Sequence, residues 1–227
     1  MIKPPKSELK LQLSQSQNGP LVGWARSMVQ RTDPVKCSLL GLINGSRYPC
    51  DRRVVDRLAL NLSTELRMGH AKRRTLLVRL DIYAAGAIDT RSTTDAPSIS
   101  ESPLGPWEDL SVAIPVGATA SPALLQLPKR LRQWRREYSL VIFDLGPLNN
   151  IPSRTIGRLC DYNFLILGPN ACASSNWIQQ HIAWHQQSGS KIDGSILTTV
   201  CDRYEESPAV SVVAGNLMDQ ATGRPAA

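Results

Sequence analysis

The sequence predicts an α/β fold with a doubly wound, mostly parallel sheet flanked by helices. Two observations carry this prediction. Short apolar runs of strand length, such as residues 140–143, alternate with longer segments whose apolar residues recur at helical spacing. The apolar runs show no polar alternation, which is typical of strands buried on both faces of a parallel sheet. Strands and helices that alternate along a chain place helices on both faces of one sheet.

The apolar runs predict six strands, at residues 37–43, 75–80, 110–115, 140–143, 163–168 and 192–200. Helical periodicity predicts helices at residues 21–30, 52–68, 122–138, 153–160 and 174–188. Ser121 and Pro122 have the residue types that begin a helix, and Pro128 is expected to kink or split the helix that follows. Its core-facing residues are predicted to be Leu124, Leu125, Leu131 and Trp134.

The first predicted helix is amphipathic, and two segments outside the predicted strands have no regular pattern. Leu21, Trp24, Ala25 and Met28 share one helical face, which either packs on the domain or docks elsewhere. Residues 84–108 are rich in Ser, Thr, Ala, Gly and Pro and are predicted to form a long loop. After Cys201 a short helix and a tail are expected.

Net charge, cysteine spacing and the length of apolar runs indicate the kind of partner and the cellular location. The 227 residues carry a net charge of +7, which indicates an acidic partner such as nucleic acid, anionic lipid or an acidic protein tail. The five cysteines are scattered without a C-x-x-C pair, which suits a reducing cytoplasm. No apolar run approaches about 18 residues, so no membrane span is predicted. We expect a cytoplasmic protein, peripheral at the inner membrane through a partner.

The predicted domain organisation has three parts. Residues 1–32 would form an N-terminal arm and short helix, residues 33–205 the main domain, and residues 206–227 a C-terminal tail. The polar, Pro-containing start of the chain and the loss of periodicity after residue 205 set these boundaries.

Two acidic residues follow predicted buried strands. Asp81 comes after the second strand and Asp144 after the fourth. Ligands of open α/β sheets bind at the carboxyl ends of strands, where an acid can hold Mg²⁺ beside a phosphate. The alternative is that each carboxylate caps the following turn, a common role for Asp.

Several segments together resemble the cytoplasmic domain of bacterial tyrosine kinases of capsule and exopolysaccharide systems, which are P-loop proteins related to the MinD and ParA ATPases. Residues 138–147, Y-S-L-V-I-F-D-L-G-P, resemble the Walker B strand of that family. Residues 112–125 resemble its strand, Pro-x-Gly turn and helix start, and residues 75–81 resemble its second acidic strand. Residues 159–200 resemble its closing strand, helix and strand. The resemblance implies a P-loop NTPase-like fold.

The phosphate loop departs from the family pattern. That loop needs glycines, a lysine and a Ser or Thr to hold the phosphates and Mg²⁺. Here the slot of the lysine and hydroxyl residues falls on Val54, Val55, Asp56 and Arg57. The remaining candidates for contact with a nucleotide are Gly45, Ser46, Arg47, Arg52 and Arg53, and those for a metal are Asp144 and Asp81.

Other departures agree with a degenerate site. Arg79 replaces the first aspartate of the second acidic strand, and Arg79, or one of Arg47, Arg52 and Arg53, is expected within salt-bridge distance of Asp81 or Asp144. Thr198 stands in the slot of the family's base-contacting Asn, and Tyr204 is the single tyrosine of the tail. Tyr48 and Pro49 are expected to fill the phosphate space, and the family's self-association motif is not recognisable in residues 20–31.

The resemblance and its departures predict a catalytically degenerate homologue that regulates or scaffolds exopolysaccharide biosynthesis. Its implied partners are a membrane-embedded chain-length regulator or an active kinase sibling, with a homo-oligomer as a further state. ATP and Mg²⁺ are the cofactors of the family, and the lost lysine argues against them. One alternative is an ATPase or tyrosine kinase with a non-standard phosphate loop. Another is a ParA-like binder of nonspecific DNA.

Two further patterns carry weaker hypotheses. His181 and His185 have the i, i+4 spacing of a zinc pair, but the sequence offers no third ligand nearby, which favours core packing. Residues 129–136 form a basic run with Trp134 interleaved, which is a pattern of nucleic-acid contact or of a solvated helix face.

Overall fold

The computed structural model describes residues 20–33, 36–45, 52–70, 72–83, 99–115, 122–168, 175–198 and 210–211. The helices are α1 (Pro20–Arg31), α2 (Arg52–Gly69), α3 (Pro122–Glu137), α4 (Ile151–Gly157) and α5 (Ser175–Gln187). The strands are β1 (Ser38–Asn44), β2 (Thr75–Tyr83), β3 (Ser100–Glu101), β4 (Glu108–Pro115), β5 (Leu140–Pro147), β6 (Tyr162–Leu167), β7 (Gly194–Thr198) and β8 (Val210–Ser211).

The described strands form one sheet in the order β3-β4-β2-β5-β1-β6-β7-β8. The six strands from β4 to β7 are parallel, and the two-residue strands β3 and β8 pair antiparallel at the edges. The predicted doubly wound, mostly parallel sheet is therefore confirmed. β1 lies at the centre between β5 and β6, and its residues are buried along their whole length.

The direction of each crossover decides which face of the sheet a helix covers. The step from β1 to β2 runs towards the β4 edge, whereas the steps from β4 to β5, β5 to β6 and β6 to β7 run the other way. Because parallel crossovers are right-handed, opposite directions place helices on opposite faces. Accordingly α2 packs in one core cluster with Leu40 and Leu42, and α3 packs in another with Leu39 and Ile43.

The first helix completes the face that α2 covers only in part. Trp24 of α1 meets the ring of Phe164 on β6 edge-to-face, with centroids 5.2 Å apart. The predicted apolar face is confirmed as a packing face, because Leu21, Trp24, Ala25 and Met28 are all buried. The crossovers that follow β5 all place their helices on the other face, so α1 supplies the cover that β6 would lack.

Strand bounds differ from the predictions where they matter for the site. Asp81 and Asp144 lie inside β2 and β5, not after them, because pairing with neighbouring strands continues to Tyr83 and Pro147. The predicted loop at residues 84–108 contains a hairpin, since β3 pairs with β4. Residues 84–98 lie outside the described residues.

Two smaller predictions are also corrected. Pro128 does not split α3, which runs without a break to Glu137. Leu125 is not a core residue, because 71% of it is exposed, whereas Leu131 and Trp134 are buried as predicted. After Cys201 the structure describes only the strand β8, which pairs with β7, so the predicted short helix and tail lie outside the described residues. The predicted cap Ser121 lies outside the described residues.

Replacement of Trp24 by Ala tests the covering role of α1. The variant should lose about 3–5 kcal/mol of unfolding free energy, because a large buried ring and its contact with Phe164 disappear. Urea denaturation followed by circular dichroism measures this.

The neighbouring Gly23→Ala variant is the matched control. A Cβ at Gly23 would meet nothing within 4 Å, so Ala should raise stability by about 1 kcal/mol through helix propensity alone. An unchanged denaturation midpoint for Trp24→Ala would contradict the role given to α1.

Candidate functional site

The centre of the sheet is where the order of the strands reverses. From β1 the chain moves to one side and returns, and it crosses to the other side after β5. Ligands of doubly wound folds bind outside the carboxyl ends of the strands at such a switch point. At this point lie the ends of β1, β5 and β6, with Gly45, Pro147 and Leu167.

Asp144 lies on β5 with Leu42 of β1 on one side and Arg79 of β2 on the other. Partners in a parallel register share a face, so Asp144 and Arg79 lie on the face that α2 covers. The carboxylate Oδ1 accepts a hydrogen bond from the Gly146 N–H at 3.3 Å. Gly146 has a φ of 70°, which favours glycine. Asp144 therefore caps the turn that follows it, which is one of the two roles that the sequence left open.

Arg79 forms a buried ion-pair cluster with two carboxylates. Its Nη2 donates to Oδ1 of Asp56 at 2.5 Å. The Nε and Nη2 atoms also donate to Oδ1 of Asp109, at 3.2 and 3.1 Å. The Arg79 side chain is 11% exposed, so the cluster is largely removed from water. Buried charges need partners with good geometry, and each of these three residues has one.

The electrostatics of the cluster keep Arg79 charged. Burial by itself lowers the pKa of the guanidinium, and the hydrogen bond and attraction of Asp56, with those of Asp109, more than offset it. The pKa of Arg79 is therefore raised above its ordinary value. Its Nη1 atom is buried and makes no hydrogen bond within the part of the chain that the structure describes. The Arg79 guanidinium on β2 therefore stays protonated.

The partners of Arg79 correct the sequence-based prediction. For Arg79 the expected partner was Asp81 or Asp144, and the observed partners are Asp56 and Asp109. The alternative, that Arg47, Arg52 or Arg53 pairs with one of those acids, concerns side chains outside those described and stays a prediction. α2 crosses this face and places Asp56 over Arg79. Asp109 of β4 lies beside Leu77 in the strand register, and Leu77 is two residues before Arg79 on the same face of β2. Asp109 was not singled out from the sequence, because only the register of β4 against β2 brings it near.

The phosphate-loop candidates are only partly described. Gly45 donates its N–H to the Ile166 carbonyl at 2.8 Å, and a Cβ at this position would meet the Leu167 side chain at 2.4 Å. Gly45 thus permits a close approach between β1 and β6, and its amide hydrogen is already used. Ser46, Arg47, Tyr48 and Pro49 lie outside the described residues.

The remaining candidates lie on the elements around the switch point. Arg52 and Arg53 form the first turn of α2, and Asp81 lies on β2, but the positions of their side chains are not described. Val54 and Val55, to which the sequence resemblance assigned the phosphate-loop slot, are buried in the core at 2% and 1% exposure. Apolar side chains packed in the core provide no charge for a phosphate.

Tyr138, which opens the stretch that resembles Walker B, has a structural role at the other end of the sheet. Its hydroxyl donates to Oε2 of Glu108 at 2.6 Å, and the Arg74 guanidinium lies 4.7 Å above its ring. Burial and the Glu108 carboxylate raise the pKa of the phenol. A cavity of about 260 Å³ lies beside this network, lined in part by Arg67, Arg74 and Trp107.

The histidine pair of α5 belongs to the core. Nε2 of His185 donates to the Leu148 carbonyl at 3.1 Å, and Nδ1 accepts from the Ser190 hydroxyl at 3.3 Å. Both nitrogens of this ring are therefore engaged. His181 packs between Trp177 and Trp184, with ring centroids 4.3 and 4.5 Å away. No group of three metal-binding side chains occurs among the described residues.

The aromatic residue of the basic run is not on the surface. Trp134 is 3% exposed and packs against Phe143 of β5, because helical periodicity puts it on the same inner face as Leu127 and Leu131. The Lys and Arg side chains around it remain at the surface of α3. The basic run therefore has no aromatic that could stack on a base.

The order of the sheet and the switch point define this chain as a P-loop NTPase-like α/β domain. Its structural neighbours include kinase domains, one of them that of a bacterial tyrosine kinase. The kinase domain of VpsO matches with a TM-score of 0.56 at 17% sequence identity, covering 85% of this chain and 96% of that one. The chimerical protein CapA2B2 gives 0.55 at 14% identity, covering 83% and 88%. The kinase domain of the Escherichia coli tyrosine kinase ETK gives 0.52 at 15% identity, covering 75% and 70%.

At these identities the likeness concerns the fold. No protein-family model and no curated protein sequence matches the chain. The predicted fold class and the resemblance to polysaccharide-system tyrosine kinase domains are confirmed at this level. No described helix is long and apolar enough to cross a bilayer.

Replacement of Arg79 by Met tests the buried cluster. The variant should lose about 3–5 kcal/mol of unfolding free energy, because Asp56 and Asp109 are left without their shared cation. The triple variant Arg79→Met, Asp56→Asn, Asp109→Asn should recover most of the loss, since it removes the charges together. Chemical denaturation of both variants measures this. As the control, Arg135→Met breaks the pair with Asp161, in which both side chains are exposed, and should leave the midpoint nearly unchanged.

His185 makes the free energy of unfolding depend on pH. Burial is the main cause that lowers the pKa of His185, to about 4, below the ordinary value of 6.5. Folding favours the neutral ring, so this contribution to stability is complete above about pH 6.5 and is lost as the pH falls towards 4. From pH 7.5 to 5 the wild type should lose about 2 kcal/mol through this residue.

The variant His185→Gln should be less stable at pH 7.5 but should show a flatter dependence between pH 7.5 and 5. The control His70→Gln removes an exposed histidine and should keep the wild-type slope. Equal slopes for wild type and His185→Gln would show that His185 does not titrate in this way.

Proposed function

We propose that this chain is a catalytically degenerate relative of the polysaccharide-system tyrosine kinases, which keeps their fold as a regulatory or scaffolding module. The observation that carries the proposal is the Arg79 guanidinium held between Asp56 and Asp109. The family has an acid at the position of Arg79. At that position the guanidinium occupies carboxylate oxygens of Asp56 and Asp109 and supplies no oxygen of its own, whereas Mg²⁺ needs oxygen ligands.

The first turns of α2 support the same proposal. Asp56 stands in the family's phosphate-loop slot and is bound to Arg79, so its carboxylate belongs to an internal pair. The neighbouring valines are core residues. Nucleotide affinity in P-loop proteins comes from amide groups, a lysine and Mg²⁺ acting together. A chain without the lysine, and with an internal cation near the metal position, has lost most of that attraction.

A module without catalysis acts through its surfaces. The partners that the resemblance implies are a membrane-embedded chain-length regulator of polysaccharide synthesis, an active kinase sibling or a second copy of this chain. Residues 33–205 are proposed as the module, with α1 packed against it.

A second candidate function retains nucleotide binding through a non-standard loop. Arg52 and Arg53 begin α2 beside the carboxyl ends of the central strands, where the amino end of a helix attracts phosphate. In this alternative Arg47, Arg52 and Arg53 contact the phosphates, and Asp144 with Asp81 holds Mg²⁺.

Calorimetry with Mg-ATP and Mg-ADP separates the two candidates. The degenerate-kinase proposal expects no binding tighter than about 1 mM, which corresponds to about −4 kcal/mol. Micromolar binding with measurable hydrolysis would overturn it. If binding occurs, Arg52→Ala with Arg53→Ala should abolish it under the second candidate. The control pair Arg31→Ala with Arg67→Ala removes two exposed arginines of α1 and α2 outside the site and should change nothing.

A further inference from the structure

The outer surface of α3 carries three cations and an exposed leucine in one line. Leu125, Lys129, Arg132 and Arg136 follow each other in steps of four, three and four residues, which puts them on one side of the helix. All four are exposed. The line is about 16 Å long at the helical rise. We call Lys129, Arg132 and Arg136 the basic stripe.

The basic stripe is not neutralised by the rest of the described chain. None of its three residues forms an ion pair within the described ranges, whereas Arg26, Arg74, Arg79 and Arg135 each have an acidic partner. The three helices on this face of the sheet contain one acidic residue, Glu137, against five Lys or Arg on α3 and one on α4. The positive field of this face is therefore directed outwards.

Exposed apolar side chains accompany the cations on the same helix layer. Leu125 is 71% exposed, Ile151 at the start of α4 is 51% exposed, and Trp184 of α5 is 38% exposed. The guanidinium of Arg154 lies 5.6 Å above the Trp184 ring, so one face of that ring is already covered. A face that combines uncompensated cations with exposed Leu, Ile and Trp has the composition of interfacial membrane binding.

We propose that the outer face of α3, α4 and α5 binds the anionic headgroups of a phospholipid bilayer. The basic stripe meets the phosphates, and Leu125, Ile151 and Trp184 enter the boundary between headgroups and acyl chains. A nucleic acid would satisfy the cations but would leave Leu125 and Ile151 without a partner. The buried position of Trp134 also removes the aromatic that a nucleic-acid surface would use. Lipid is therefore the ligand that uses all of these residues.

The proposal is independent of the loss of nucleotide chemistry. The basic stripe lies on the side of the sheet opposite to α2 and the Arg79 cluster, as the two separate core clusters indicate. A chain that bound Mg-ATP could still have this face, and a degenerate chain could lack lipid affinity. Failure of one proposal therefore leaves the other standing.

Cosedimentation of the full chain with vesicles tests this face. Vesicles of equal parts phosphatidylglycerol and phosphatidylcholine should bind the protein at about 0.15 M salt, and pure phosphatidylcholine vesicles should not. The variant Lys129→Gln, Arg132→Gln, Arg136→Gln should bind about a hundredfold more weakly, since each cation near an anionic surface contributes about fivefold. Leu125→Ser should weaken binding a few-fold without a change of charge.

The control variant Arg31→Gln, Arg67→Gln, Lys72→Gln removes the same charge from exposed positions outside this face and should keep nearly the wild-type affinity. Circular dichroism checks that each variant is folded. Equal losses in the two triple variants would overturn the proposal in favour of general charge attraction. Absence of vesicle binding would also overturn it. So would a tighter binding of duplex DNA at the same phosphate concentration, unaffected by Leu125→Ser, which would identify a nucleic-acid surface.

Discussion

The right-handedness of parallel crossovers constrains most of this structure. One crossover runs towards the β4 edge and three run away from it, so α2 lies on one face of the sheet and α3, α4 and α5 lie on the other. The same constraint leaves β6 uncovered on the α2 face. α1 covers this part of β6, where its Trp24 packs on Phe164. The site, the added helix and the basic helix layer are thus consequences of one rule of connection.

The Arg79 cluster shows how a buried arginine on a central strand is held by two carboxylates from neighbouring elements. An arginine and two aspartates bring a charge of minus one into a poorly solvated space, with hydrogen bonds of 2.5 to 3.2 Å. Removal of charges from water is costly, and a good pairing geometry offsets the cost. The guanidinium cannot leave or exchange, unlike a metal ion. A chain with this cluster keeps the fold of the tyrosine kinase domains while its own side chain provides the positive charge at this part of the sheet.

Much of the fold could be predicted from the sequence because the strands are apolar and the helices are amphipathic. The pattern of Val54, Val55, Leu58, Leu62 and Leu66 identified α2, and all five residues are buried. Predictions that depended on neighbours were weaker. Asp81 and Asp144 were placed after their strands, but pairing with adjacent strands extends both strands beyond them. Leu125 was assigned to the core by its type, and the orientation of α3 exposes it.

The sequence alone determined the fold class and the succession of strands and helices. These depend on local periodicity and on residue identity, which one chain displays fully. Only the tertiary structure decided that Arg79 pairs with Asp56 and Asp109, which lie 23 and 30 residues away. It also decided that Trp134 is buried while the basic stripe remains open. Register, helix rotation and crossover direction bring distant residues together, and none of the three is encoded in any single segment of the chain.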